Sequence, residues 1–146
     1  MPEHPTQQVP PCCPPPAGPP QQAVFASDPG SVSKARAYAR EVVERYTPDA
    51  PRALIEDLQL IVSELVTNSI RYGTEPGDSV AVVLSASAGR VRVEVHDPSR
   101  RYPRVKAPSA DRQRGRGLIV LDALAHKWGV APRPFGKYVW AELVWR

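Results

Sequence analysis

The chain has 146 residues, of which 42% are hydrophobic and 23% charged, and its formal net charge is +4 at pH 7. No apolar run approaches the ~20 residues that a membrane-spanning helix needs, and the amino terminus lacks the basic and then apolar pattern of a secretory signal. The two cysteines, Cys12 and Cys13, are adjacent, which argues against a disulfide scaffold or a cysteine-based zinc site and favours a reducing, cytoplasmic location.

Prolines are concentrated at the start of the chain, where ten of the 18 fall in residues 1–30. The first 22 residues carry one formal charge, Glu3, and almost no bulky apolar side chain. Such a segment cannot bury enough surface to offset the entropy lost on ordering. We therefore predict a Pro-rich disordered tail over residues 1–22 and one globular domain over residues 23–146.

The first half of the domain predicts one strand and two helices. Residues 23–27 are typical of a short strand, and Ser31 is a candidate cap for a helix over 32–46. A second helix is predicted over 52–72, because its apolar residues recur at helical spacing, and Gly73 is a plausible cap for its carboxyl end.

The second half predicts a hairpin, a long loop, a third helix and a final pair of strands. Residues 80–84 and 91–96 are typical of paired strands, the second alternating apolar with polar side chains. Residues 98–116 form a basic loop with no periodicity. The segments that follow are a helix over 118–127, a strand over 128–130, a connection containing Pro132, Pro134 and Gly136, and a strand over 138–145. The order predicts a two-layer α/β sandwich, with helices on one face of a mixed, mostly antiparallel sheet.

Three places along the domain have residues suited to chemistry. Glu64 and Asn68 are four residues apart and so project from one face of the second helix, where a carboxylate and an amide suit a general base and a metal ion. Asp97 ends the alternating strand. The alternative is structural in each case: a helix-flank pair bonded to nearby backbone, and a strand-ending turn residue before Pro98.

The third place is Gly115-Arg116-Gly117, which opens the predicted third helix after the basic loop. Glycines at a helix amino terminus let backbone N–H groups approach a phosphate, although the full phosphate-loop and dinucleotide motifs are missing. The basic loop itself is compatible with nucleic acid, a phosphorylated small molecule, an acidic protein or simple solvation. His96 and His126 lack the spacing of a zinc site.

Together these features resemble a known superfamily. Residues 63–73, SELVTNSIRYG, resemble the N box of the GHKL ATP-binding proteins, in the form found in the short stand-alone bacterial anti-sigma-factor serine/threonine kinases. Asp97 matches the aspartate of the first glycine box, and residues 115–118, GRGL, match the second. Residues 136–143 resemble the closing strand. The resemblance covers about 27–145 and implies the Bergerat-type sandwich of a histidine-kinase-like ATPase domain.

The resemblance also implies roles for individual residues. Asn68 would bind the Mg²⁺ that bridges the nucleotide phosphates, Glu64 would be the general base, and Asp97 would accept a hydrogen bond from the adenine amine. The residues implied to hold the phosphates as a lid are Arg114, Gly115, Arg116, Gly117 and Leu118. Two positions depart from the family pattern: the first glycine box, DxGxG in the family, begins here Asp97-Pro98-Ser99, and Tyr138 stands where a threonine near the adenine is common.

The expected function is a cytoplasmic, ATP- and Mg²⁺-dependent serine/threonine kinase of the anti-sigma-factor type. It would sequester a sigma factor and phosphorylate a small anti-anti-sigma-type antagonist, without binding nucleic acid or membrane directly, and the resemblance is compatible with a homodimer. One alternative is a non-catalytic partner-binding module with a degenerate nucleotide site. Another is a nucleic-acid binder, whose affinity would fall steeply with salt.

Overall fold

The computed structural model describes residues 20–99 and 119–145, which form a five-stranded sheet with helices packed against one face. In chain order the elements are β1 (Gln21–Ala26), α1 (Ser31–Tyr46), α2 (Arg52–Tyr72), β2 (Ser79–Ser87), β3 (Arg90–Asp97), α3 (residues 119–124), β4 (Lys127–Arg133) and β5 (Gly136–Val144). The strand order is β1-β2-β3-β5-β4, and every neighbouring pair is antiparallel. The predicted α/β sandwich is confirmed.

Alternation of side chains along the strands decides which face of the sheet is covered. In β3 every second residue is buried, and the register places Val95 opposite Val82 of β2 and Val139 of β5. Because facing residues of antiparallel strands point to the same side, the valines form one continuous apolar surface. The helices cover this surface, so the alternation seen in the sequence sets the layer order.

The apolar stripe of α2 forms the centre of the core. Leu58, Ile61 and Val62 are fully buried between the sheet and α1, which contributes Ala39 and Val43. A helix turns once every 3.6 residues, so apolar residues spaced three or four apart lie on one face. The helix predicted over 52–72 therefore forms with those bounds, and Gly73 caps it by donating its backbone N–H to the Ser69 carbonyl.

Ser31 does not cap α1 as predicted. The capping position is Gly30, which makes no side-chain hydrogen bond, and Ser31 is the first helical residue. Its hydroxyl donates instead to the carbonyl of Ala26 at 2.8 Å. The same side chain that is typical of a cap thus links the start of α1 to the end of β1.

The third helix and the last strands also differ from their predicted bounds. The helical residues end at 124, not 127, because β4 pairing begins at Lys127, opposite Glu142, and the His126 N–H donates to the Glu142 carbonyl. Pro132 lies inside β4 and not in the connection. A proline is tolerated there because β4 is at the edge of the sheet, where one side needs no ladder bond. Phe135 occupies the turn with a φ of 61°.

The sheet face opposite the helices carries a charged and aromatic cluster. Arg92 lies 4.2 Å from the centre of the Trp140 ring and forms ion pairs with Glu94 at 3.1 Å and Glu142 at 3.3 Å. Glu94 also bonds to the His96 ring at 2.8 Å. Burial raises the pKa of Glu94, but the His96 hydrogen bond and the Arg92 charge outweigh it, so the pKa lies below its ordinary value.

Several predictions fall outside the described residues. The structure says nothing of residues 1–19 or of 100–118, so the disordered tail and the basic loop stay predictions. β1 begins at Gln21, two residues before the predicted strand. None of the helices within 20–99 and 119–145 combines the length and the apolar character that crossing a bilayer requires.

Candidate functional site

The candidate site is centred on Asp97, at the end of β3 and beneath the carboxyl end of α2. The residue is 2% exposed. Its Oδ2 atom accepts a hydrogen bond from the Ser69 hydroxyl at 2.8 Å, and its Oδ1 atom accepts one from the Ser99 backbone N–H at 3.0 Å. Ser69 and Asp97, which the sequence separates by 28 positions, are thereby joined.

Lys137 provides the charge that balances this carboxylate. Its ammonium donates to Oδ1 at 2.8 Å and to Oδ2 at 2.9 Å, and the side chain is itself buried. The register makes Lys137 the direct cross-strand partner of Asp97. A buried carboxylate needs such a partner, because an unpaired charge in the protein interior costs several kcal/mol, of order 3–5 when a partner is removed.

Tyr138 does not lie near Asp97, and the position assigned to it by the resemblance is wrong. Its ring stacks on His96 with centroids 4.6 Å apart, on the sheet face opposite the helices. Successive side chains of a strand point to opposite faces. Since Val139 and Ala141 of β5 face the core, Lys137 is the residue that shares their face and lies at the site.

Two glycines allow the backbone to close around Asp97. A Cβ atom at Gly73 would lie 2.5 Å from Asp97 Oδ2, so only glycine lets the end of α2 approach this carboxylate. A Cβ atom at Gly136 would collide with the Asp97 carbonyl oxygen. Gly73 therefore serves close approach, since its φ of −114° is open to any residue.

Glu64 and Asn68 lie on the flank of α2 that α1 leaves uncovered. Arg36 of α1 bonds to Ser63 at 3.2 Å, which places α1 on one side of the α2 stripe. Residues turn by about 100° each along a helix, so Glu64 and Asn68 project on the other side. Both are half-buried. Asp97 and its partners Ser69, Ser99 and Lys137 form what we call the Asp97 corner. Because Asn68 directly precedes Ser69, the predicted metal ligand and the Asp97 corner lie at the same end of α2.

These residues fit part of what ATP and Mg²⁺ need. Magnesium takes oxygen ligands and is often held by one or two protein groups together with phosphates, which suits the half-buried Asn68 amide beside Glu64. The fit at the base is poorer, because the Asp97 carboxylate already accepts bonds from Lys137, Ser69 and Ser99. The lid residues Arg114, Gly115, Arg116, Gly117 and Leu118 lie outside the described residues.

A separate cleft lies between the two long helices. It has a volume of about 330 Å³. The lining residues come from the carboxyl half of α1, the connection and the amino half of α2, and include Arg40, Glu44, Arg52 and Glu56. None of the residues around Asp97 lines it. Its charged, open character distinguishes it from the buried corner at Asp97.

Lys137 and Ser69 are site residues that were not predicted from the sequence. A signal for Lys137 was present, because it continues the alternation of Val139, Ala141 and Leu143 in β5 and so falls on the core face. A lysine at such a position predicts a buried acidic partner. Ser69 falls on the buried stripe of α2, next to Asn68, where a hydroxyl also needs a partner.

Comparison with known proteins gives a family match across most of the chain. The model of the histidine kinase-like ATPase domain matches residues 25–142, from β1 into β5. The match includes Glu64, Asn68 and Asp97. A search of curated proteins found no match.

Proposed function

Because the chain belongs to the histidine kinase-like ATPase family, whose members bind ATP, usually with Mg²⁺, we propose that it is an ATP-dependent regulatory serine/threonine kinase. It binds MgATP across the carboxyl end of α2 and the end of β3. It transfers the γ-phosphoryl group to a hydroxyl of a small partner protein. The supporting observation is the α2 flank, left free by α1, that carries Glu64 and Asn68 one turn apart, beside Asp97.

Each of these side chains has a distinct task. The Asn68 amide oxygen would hold Mg²⁺, which would neutralise the charge of the phosphates when bound. The hydroxyl oxygen of the partner attacks the γ-phosphorus, and Glu64 accepts the proton of that hydroxyl. As the new bond forms, the bond between the γ-phosphorus and the bridging oxygen breaks, and ADP leaves. Phosphoryl transfer depends on positioning and charge neutralisation more than on covalent help, which suits a base and a metal ligand placed one turn apart on a rigid helix.

The partners are proposed from the resemblance of residues 63–73 to the anti-sigma-factor kinases. The sequestered protein would be a sigma factor, and the phosphorylated protein a small antagonist of the anti-anti-sigma type, in the cytoplasm. A kinase of this kind controls which of two partners it holds, because phosphorylation of the antagonist adds charge that weakens its docking.

Titration calorimetry with ATP and ADP, with and without Mg²⁺, tests the nucleotide site. We expect Mg²⁺-dependent ATP binding by the full chain and its loss in Asn68→Ala. Glu56→Gln is the matched control, since Glu56 lies on the same helix but at the exposed amino end. Wild-type protein that binds no nucleotide at millimolar concentration, or Asn68→Ala that binds as wild type does, contradicts the proposal.

A second candidate is a partner-binding module of the same fold without catalysis. The observation that favours it is the Asp97 carboxylate, whose oxygens already bind three residues of the chain itself. The two candidates differ in Glu64→Gln. A kinase loses phosphate transfer from labelled ATP to its partner while it keeps ATP and partner binding, whereas a module shows no transfer before or after the change.

A further inference from the structure

The Asp97 carboxylate has no acceptor position left for a ligand. An ionised carboxylate offers about four lone-pair directions, two on each oxygen. Oδ1 accepts from Lys137 Nζ and from the Ser99 N–H, and Oδ2 accepts from Lys137 Nζ and from the Ser69 hydroxyl. Four hydrogen bonds from three residues therefore fill the four acceptor positions. A ligand amine can bond to Asp97 only by displacing one of them.

The donors are held by the fold and do not yield easily. Lys137 is the cross-strand partner of Asp97, so the ladder between β3 and β5 fixes the ion pair. Both residues are buried, Asp97 at 2% and Lys137 at 5% exposure. Gly73 packs against the carboxylate from the α2 side, where even a methyl group would collide with it. Separation of the pair would leave each buried charge without its counter-charge, which is strongly unfavourable.

The pair changes the chemistry that a purine base meets here. An adenine amine is a donor and needs a free acceptor, which the occupied carboxylate does not offer. Two of the three N–H groups of the Lys137 ammonium go to Asp97, and an ammonium donates only to acceptors, such as a carbonyl oxygen. A purine with a carbonyl at its 6-position, such as hypoxanthine or guanine, carries an acceptor at the atom where adenine carries the amine.

We propose that Lys137 sets the base selectivity of the site: it occupies the acceptors of Asp97 and abolishes the preference for an amine at the purine 6-position, so that a 6-oxo purine nucleotide binds as well as ATP does. This inference rests on the proposed function in one respect, namely that a nucleotide binds at the Asp97 corner. Lys137 is a specificity-determining residue in this account, and Ser69 and Ser99 complete the occupation of the carboxylate.

The test compares the dissociation constants of ATP, ITP and GTP, each with Mg²⁺, for the full chain by titration calorimetry. ITP differs from ATP at the purine 6-position and lacks the 2-amino group of GTP, so the ATP to ITP ratio isolates the group in question. The variants are Lys137→Thr, which empties two acceptor positions, and Ser69→Ala, which empties one. Lys34→Thr is the control, because it removes the same charge from an exposed position on α1.

We expect the wild-type protein and Lys34→Thr to bind ITP at least as tightly as ATP. In Lys137→Thr the ratio should shift towards ATP by about tenfold or more, which is the effect of one hydrogen bond to a charged group. Threonine is favourable in a strand, but Lys137→Thr leaves the Asp97 carboxylate without its cation. A thermal melt therefore checks that this variant folds. Should it unfold, Ser69→Ala decides, with an expected shift of about threefold towards ATP.

Two results overturn the inference, and they are distinguishable. If ATP binds with Mg²⁺ and depends on Asn68, but wild type prefers ATP over ITP by tenfold or more, or the folded variants leave the ratio unchanged, the role given to Lys137 is wrong while the proposed function stands. If no nucleotide binds to wild type, Lys137→Thr or Ser69→Ala, both the proposed function and this inference are wrong.

Discussion

Gly73→Ala should destabilise the protein through one methyl group placed against Asp97. The new Cβ would lie 2.5 Å from Oδ2, 2.6 Å from Cγ and 2.9 Å from Oδ1, whereas ordinary contact begins at 3.4 Å. One side must therefore move by roughly 1 Å. The carboxylate resists, because Lys137 and Ser69 anchor it.

The magnitude follows from two opposing effects. Overpacking of a closely packed interior costs about 1–3 kcal/mol, and the anchored carboxylate places this site at the upper end. Replacing glycine by alanine at a φ open to both recovers about 0.4–1 kcal/mol by restricting the unfolded chain. We expect a net loss of about 2 kcal/mol. For a domain of this size that corresponds to a fall in Tm of roughly 6–12 °C.

Urea denaturation followed by circular dichroism measures this loss as a lower midpoint with an unchanged slope. Gly30→Ala is the matched control. Its Cβ would meet Asp28 Oδ2 at 3.3 Å, and that carboxylate belongs to an exposed residue that can move aside. We expect the control to stay within about 0.5 kcal/mol of wild type. A Gly73→Ala protein as stable as the control would refute the close packing of α2 on Asp97.

Three further changes test other parts of the structure by the same denaturation assay. Asp97→Ala should lower the free energy of unfolding by about 3–5 kcal/mol, because it leaves the Lys137 charge buried without a partner. Addition of Lys137→Met should recover part of that stability. A double variant less stable than Asp97→Ala alone would contradict the ion pair. Because the pKa of Glu94 is lowered in the folded state, the ionised side chain stabilises the fold above its ordinary pKa of 4.5, and this stabilisation is lost as pH falls through the lower folded pKa. The stability advantage of wild type over Glu94→Gln should therefore shrink as pH falls below about 4.5. A difference in stability that is independent of pH between 3 and 7 would refute this prediction. Phe135→Gly should stabilise the protein by roughly 0.5–1 kcal/mol. Phe135 is 81% exposed and holds a φ of 61°, which costs a non-glycine residue about 1–2 kcal/mol. A lower urea midpoint in the variant would contradict this prediction and show that the ring contributes contacts.

The fold was predictable because its main signals are local. The α2 stripe and the alternation of β3 each bury one face regardless of the rest of the chain, so their periods indicate the elements directly. Element ends were less predictable. Whether Ser31 caps α1 or bonds to Ala26 depends on how close β1 lies, and the end of α3 depends on where β4 begins to pair. Both are tertiary effects.

The candidate site was predictable in part, for a similar reason. Glu64 and Asn68 share a flank because they share a helix, so their spacing was sufficient. The partner of Asp97 comes from another strand, and its identity depends on the register between β3 and β5. A shift of one residue exchanges Lys137 for Tyr138 at the site, which is why similarity to a family motif alone placed the wrong side chain there.

The most direct test of the account is an NMR titration of the ¹⁵N-labelled full chain with ATP in the presence of Mg²⁺. The central claim is that nucleotide binds at the Asp97 corner, so the backbone amides of Ser69, Gly73 and Lys137 should shift progressively and saturate together. The cleft between α1 and α2, lined by Arg40 and Arg52, is the internal comparison. Shifts confined to that cleft, or the absence of any shift at millimolar nucleotide, would contradict the account.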